Sequence, residues 1–330
     1  MVILLLFPPL LAAVAGWLVA PNFLHPILRP LPPSETTIAD NTFSFVGAQR
    51  EDFDVRAPDG TILRGWKVRP KNPNGSWVLV FHGVADNRMG VIEHACMLLN
   101  AGYSVVMMDA RAHGASGGSI ATYGWLERND TRAIVDALLS SETSLYIRAQ
   151  WREPPHILGM PPPAPLPALH IFALGESMGA GIALQSAAAD PRIEAVVAEA
   201  SFATLREASY DYAGLRRSPL LGKTLFAPFS WTLLYRGEKL TGLPVAEVSP
   251  MKAVATHAFP VLLICDANDE ALPCRHTKMI YDAAIGLKQM WVVPGAFHTA
   301  ALGYQPAEFR QRVLAFFADA ASKPVNSSAN

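Results

Sequence analysis

The chain has 330 residues, 51% of them apolar, and a formal net charge of −1. That is ample material for a large buried core, and in the near-neutral balance nothing argues for nucleic acid or a strongly charged substrate, so no nucleic-acid partner is expected. No glycine-rich dinucleotide fingerprint, Walker A loop or HExxH stretch occurs, so neither a cofactor nor a metal is expected.

In chain order, the first segment is the most apolar. Met1 to Leu28 contains no Lys, Arg, Asp or Glu, and residues 2–20 are almost wholly apolar. A bilayer span needs roughly 20 such residues. Residues 1–28 therefore read as an N-terminal transmembrane anchor and lead-in, which would place the protein at a membrane. The rival is a cleavable signal peptide, although its basic start is missing and Pro8-Pro9 interrupts the run. A membrane-surface or packed helix is a third reading. Arg29, the first basic residue, tilts the body weakly toward the cytoplasmic side. Five prolines between 21 and 41 read as a stiff linker.

Residues 29–330 read as one α/β domain. FDVRAPDGTILRGWKVRP is a β-hairpin: two alternating runs flank Asp59-Gly60. Short apolar runs follow at 77–81, 104–108, 170–174, 195–199, 260–265 and 289–293. Each is apolar on both faces, as central parallel strands are. Helical patterns lie near 88–100, 125–140, 178–189, 274–286 and 306–321. The alternation gives a mostly parallel central sheet with helices on both faces. Two segments break it. Residues 141–169 hold seven prolines and read as an irregular insertion. It leads into a strand, so it should emerge at the end of the sheet remote from catalysis. Residues 202–248 are rich in Tyr, Phe, Trp and Leu and read as a helical cap.

The three cysteines, Cys96, Cys265 and Cys274, lack metal spacing, and an odd count gives no disulfide framework. Cys265, inside a strand-like run, reads as a small core residue.

The chemistry centres on LGESMGAG. Gly175-Glu176-Ser177-Met178-Gly179 lies between a strand pattern and a helix pattern. There a serine on a strained turn projects its oxygen from the sheet, and the flanking glycines Gly175 and Gly179 avoid collision with neighbouring backbone. The hydroxyl needs a base. Of nine histidines, His298 in VVPGAFHTAAL lies just beyond the last strand pattern. The acid should follow the strand at 260–265, where CDANDEALP offers Asp266, Asp269 and Glu270. Asp269 is preferred because the loop must leave the strand first; Asp266, closer to the strand end, is the alternative acid or else a structural turn residue. The backbone N–H groups of Met178 and Val84 are the expected oxyanion donors. His82 reads as structural.

The motifs DGTILRGW, VLVFHG, MMDARAHGASGG, GESMGAG, VSPMKAV, PVLLICDANDEALP and GAFH occur in this order between about residues 52 and 320. Together they resemble the α/β-hydrolase superfamily, in its serine-aminopeptidase-like and monoacylglycerol-lipase-like branch. The resemblance implies an α/β-hydrolase fold, a triad of Ser177, Asp269 and His298, no metal, and membrane anchorage of the kind many single-span members have. The family's Asp-x-Arg-x-His-Gly-x-Ser loop matches Asp109, Arg111, His113, Gly114 and Ser116; it is mainly structural, which sets His113 aside as a base. Two departures stand out. Asp266 occupies a place where relatives often carry glycine, and Val-Ala-Asp follows His82-Gly83 in place of Asn-Ala-Gly.

The expected function is two-step acyl transfer on a small-molecule carboxylic ester, lipid-like in view of the apolar N-terminus and the cap aromatics Tyr210, Tyr212, Phe226, Phe229, Trp231 and Tyr235. The enzymatic alternative is a peptidase, with Glu207, Asp211 and Glu238 available to grip a free amine. An alternative of another class is a catalytically silent membrane-anchored scaffold.

Overall fold

The computed structural model describes residues 2–151, 169–216 and 218–322. Two helices open the chain, α1 (Val2–Leu24) and α2 (Pro33–Phe45). The hairpin β1 (Ala48–Arg56) and β2 (Ile62–Pro70) follows, then β3 (Ser76–Phe81), α3 (Ile92–Asn100), β4 (Ser104–Met108) and α4 (Glu127–Trp151). β5 (His170–Glu176) leads into α5 (Met178–Ala189) and β6 (Ile193–Glu199). The cap holds α6 (Leu205–Ala213), α7 (Pro219–Lys223) and α8 (Ala227–Thr241). The chain then returns through α9 (Pro250–Thr256), β7 (Val261–Asp266), α10 (Arg275–Ala283), β8 (Lys288–Val293), α11 (Ala301–Tyr304) and α12 (Pro306–Ala321).

The eight strands form one sheet in the order β1-β2-β4-β3-β5-β6-β7-β8. β2 runs antiparallel to both neighbours, and the other pairs are parallel. Successive side chains of a strand point to opposite faces, and that alternation divides the core. Val78, Val80, Phe172, Leu174, Leu262 and Ile264 pack beneath α3 and α12. Their neighbours Trp77, Leu79, Ile171, Ala173, Val261 and Leu263 pack against α4, α5 and α10. This is the α/β-hydrolase architecture, a mixed and mostly parallel sheet covered on both faces. β8 departs from the expectation of two apolar faces: it is an edge strand, and Val292 is exposed.

Three other readings are corrected. α4 continues to Trp151, beyond the expected end near 140, because no proline interrupts the chain before Pro154. The seven prolines of the expected insertion fall within residues 152–168, outside the described residues. The lead-in is not a continuous linker: Pro33 sits in the first turn of α2, where its missing N–H costs nothing. Cys265 is buried as expected but is bonded to Cys274, so the odd count concealed one disulfide.

Among the described residues no helix is long and apolar enough to cross a membrane, so the expected anchor gains no support. α1 instead lies along the cap helix α8. Ala12, Gly16 and Ala20 are buried, and a Cβ built on Gly16 would sit 2.1 Å from the Phe229 carbonyl oxygen. A stripe of small residues permits that close approach. Thr232 Oγ1 donates to the Ala13 carbonyl at 2.7 Å, and the Arg236 guanidinium donates to that of Trp17.

Candidate active site

Ser177 sits at the carboxyl end of β5, between that strand and α5, with φ 52° and ψ −117°. Left-handed φ at a side-chain-bearing residue costs on the order of 1–3 kcal/mol and persists only where the surroundings enforce it. They do here. The Ser177 N–H donates to the Glu199 carbonyl on β6 at 2.9 Å. A Cβ on Gly175 would lie 2.4 Å from the Gly179 carbonyl oxygen, and one on Gly179 would lie 2.3 Å from that of Phe81. Both glycines are therefore required by backbone packed against backbone.

The loops after β7 and β8 bring two more side chains to this point. His298 Nε2 is 2.9 Å from Ser177 Oγ, and His298 Nδ1 is 2.6 Å from Asp269 Oδ2. These partners define the tautomer: Nδ1–H donates to the carboxylate, and Nε2 accepts from the hydroxyl. The Asp269 carboxylate is fully buried while the imidazole is partly open. Its second oxygen accepts the backbone N–H groups of Ala271 and Leu272 at 2.7 and 2.8 Å, which fixes its direction. The Cys265–Cys274 disulfide closes the same loop.

Asp266 and Glu199 hold the next stretch of chain. Asp266 Oδ2 accepts from the Thr299 N–H at 2.9 Å, and Glu199 Oε1 accepts from the Ala301 N–H at 2.9 Å. Burial, with the facing Glu199 as the second cause, pushes the Asp266 carboxyl up to about 8. Burial likewise raises Glu176 to about 7. Asp266 thus supports the histidine loop.

His82 is buried, accepts from the Ala110 N–H at 3.0 Å and donates Nδ1–H to the Gly83 carbonyl at 2.7 Å. Burial, reinforced by His113, lowers it to about 4 and keeps it neutral. His113 Nδ1 donates to the Arg111 carbonyl at 2.9 Å. Arg111 forms a two-pronged pair with Asp130, and Ser116 Oγ donates to the Asp109 carbonyl. Both histidines and their loop are committed to local structure. Among the described residues no cluster of His, Cys, Asp or Glu could hold a metal ion.

A cavity of about 340 Å³ opens over Ser177. Val84 and Met178 line it beside the serine, together with Tyr123, Phe202, Leu205 and Leu233. Tyr212 and Phe229 are the cap aromatics that reach it; Trp231 and Tyr235 are exposed. The residues that sequence reasoning missed come from α1: Val19, Asn22 and Phe23 also line the cavity. Nothing in the apolar pattern of residues 2–24 marks them.

A family model described as X-Pro dipeptidyl-peptidase (S15 family) matches residues 39–229, more than half of the chain. The chain belongs to the S15 peptidase family. As an S15 member it is a serine hydrolase on the α/β-hydrolase fold; the narrower branch expected from the motifs has no support. The solved esterase Pf2001 of Pyrococcus furiosus shares the fold at 20% identity and a TM-score of 0.60, over 89% of this chain and 97% of that one. The acylaminoacyl peptidase of Pyrococcus horikoshii shares it at 15% identity and a TM-score of 0.54, over 86% of this chain and 43% of that one. The Bacillus subtilis uncharacterized protein YqkD is 26% identical over 280 residues, which are 83% of this chain and 81% of that relative.

Proposed function

We propose that this S15 member hydrolyses carboxylic esters with an apolar acyl group by two-step acyl transfer. The observation that carries the reading is a hydrogen-bonded Ser177–His298–Asp269 relay at the floor of a cavity whose lining, among the described residues, includes no charged side chain. His298 Nε2 takes the Ser177 proton as Oγ attacks the carbonyl carbon. Asp269 orients the imidazole and stabilises the imidazolium. The N–H groups of Met178 and Val84 meet the oxyanion. The imidazolium returns the proton to the leaving alkoxide, and a water activated by the same histidine then releases the acid.

An aminopeptidase-type reading needs an anionic group for the substrate amine. The three carboxylates considered for that task are engaged elsewhere. Glu207 pairs with Arg275 and Lys223, Asp211 with Arg275 and His276, and Glu238 accepts from the Ala246 N–H. The uncharged lining favours the ester.

The test is initial rates of the full chain on p-nitrophenyl esters from acetate to palmitate and on an X-Pro p-nitroanilide, with Ser177→Ala as control. Ester turnover that the control loses is expected. Turnover of the anilide alone would move the protein to the peptidase reading. Inertness of a folded protein toward both would favour the scaffold.

In the same reading the exposed Leu10, Leu11 and Val14 of α1 meet the lipid surface from which an apolar ester arrives. Pelleting with phosphatidylcholine vesicles should fall in a Leu10→Asp, Leu11→Asp double variant; unchanged pelleting would sink this extension.

A further inference from the structure

The N-terminal helix has two faces with different work. Ala12, Gly16 and Ala20, spaced four apart, are buried, and Gly16 lies against α8. Val19, Asn22 and Phe23, spaced three and four apart, turn toward the cavity above Ser177. The end of the helix is fastened to the body. Phe23 stacks on Tyr123 with ring centroids 4.7 Å apart and planes within 9°. Tyr123 Oη donates to the Phe23 carbonyl at 2.8 Å, and the Ala121 N–H donates to the Leu24 carbonyl at 2.9 Å. Leu24 is fully buried among Met178, Ile182, Phe202 and Leu205. Tyr123 itself holds a left-handed φ of 55°, a conformation kept only where packing demands it.

An apolar segment that looked like an appendage is thus a fixed wall of the substrate cavity. We propose that Val19 and Phe23 of this helix determine the length of the acyl chain the site accepts, with Val19 at the cavity rim and Phe23 held in place by Tyr123. The proposal rests on the ester reading above. At about 340 Å³ the cavity is near the lower end of the range for small-molecule sites, roughly 300–1,000 Å³. Adding bulk at one wall therefore removes a large share of its room.

The experiment uses the full chain and water-soluble p-nitrophenyl esters. Its readout is the ratio of kcat/KM for octanoate to that for acetate. Val19→Trp should lower the ratio at least tenfold, whereas Leu18→Trp, the same change at an exposed neighbour that does not line the cavity, should leave it unmoved. Val19→Ala, which removes volume without risk of overpacking, should shift the optimum toward longer chains. Equal ratios in wild type, Val19→Trp and Val19→Ala would overturn the assignment, as would a Leu18→Trp effect of the same size. Failure of the wild type on every ester, acetate included, would instead overturn the ester reading and this proposal with it.

Discussion

Asp266 and Thr299 are joined by a 2.9 Å hydrogen bond, from the Thr299 N–H to Asp266 Oδ2, one residue beyond the imidazole that faces Ser177. Glu199 grips Ala301 on the same loop and faces Asp266, with Asp269, Glu176 and His94 nearby. Two carboxyl groups at such a place cannot both ionise without cost.

That pair makes stability depend on pH in a defined direction. Asp266 is raised to about 8, mainly by burial, against an ordinary value near 4 in the unfolded chain. The folded state holds a proton that the unfolded state has released, so stability falls as pH rises through that window. Asp266→Asn keeps an oxygen for Thr299 and supplies an N–H toward Glu199. Its Tm should decline less than that of the wild type between pH 5 and 8.5. Parallel Tm profiles measured by calorimetry would refute a raised Asp266 carboxyl.

Asp269→Asn tests the orienting carboxylate. The amide oxygen can still accept from Ala271 and Leu272, but its NH₂ cannot accept the imidazole Nδ1–H. The ring then takes the tautomer that cannot receive the serine proton. Ester kcat should fall by roughly 10³–10⁴ with the circular dichroism spectrum retained. A loss of less than tenfold would remove Asp269 from the mechanism.

The glycines around the serine should separate by their surroundings. Gly179→Ala presses a methyl group into the Phe81 and His82 carbonyls at 2.3 and 2.6 Å. It should lower Tm by roughly 5–10 °C. Gly83→Ala meets Ser177 Cβ at 3.7 Å, an ordinary contact, and should change Tm by roughly 2 °C or less. Similar shifts in the two variants would contradict this packing.

The bond between Cys265 and Cys274 leaves Cys96 as the free cysteine. The denatured, unreduced chain should titrate one thiol with Ellman's reagent, and the reduced chain three. Reduction should also lower Tm, because an open acid loop adds entropy to the unfolded chain. Three thiols before reduction would exclude the bond.

Local pattern made much of this protein legible. The runs at 77–81, 170–174 and 260–265 are apolar on both faces, and buried parallel strands carry that signature wherever they pack. Asp59-Gly60 marks its hairpin through backbone preference alone, and Gly175 and Gly179 mark the turn at Ser177 because no other residue fits there. Chain order after the strands was enough to select Asp269 and His298 as candidates. Other features depend on partners distant in sequence. The apolar run of α1 would serve a bilayer or a cap helix equally well, since both reward the same residues; that Gly16 packs on Phe229 is visible only in three dimensions. The pairing of Cys265 with Cys274, the hold of Asp266 and Glu199 on the histidine loop, and the place of Val19 and Phe23 above Ser177 arise where strand ends and helices converge. Hydrophobicity and turn chemistry are written residue by residue; which surfaces meet is decided only when the whole chain has closed.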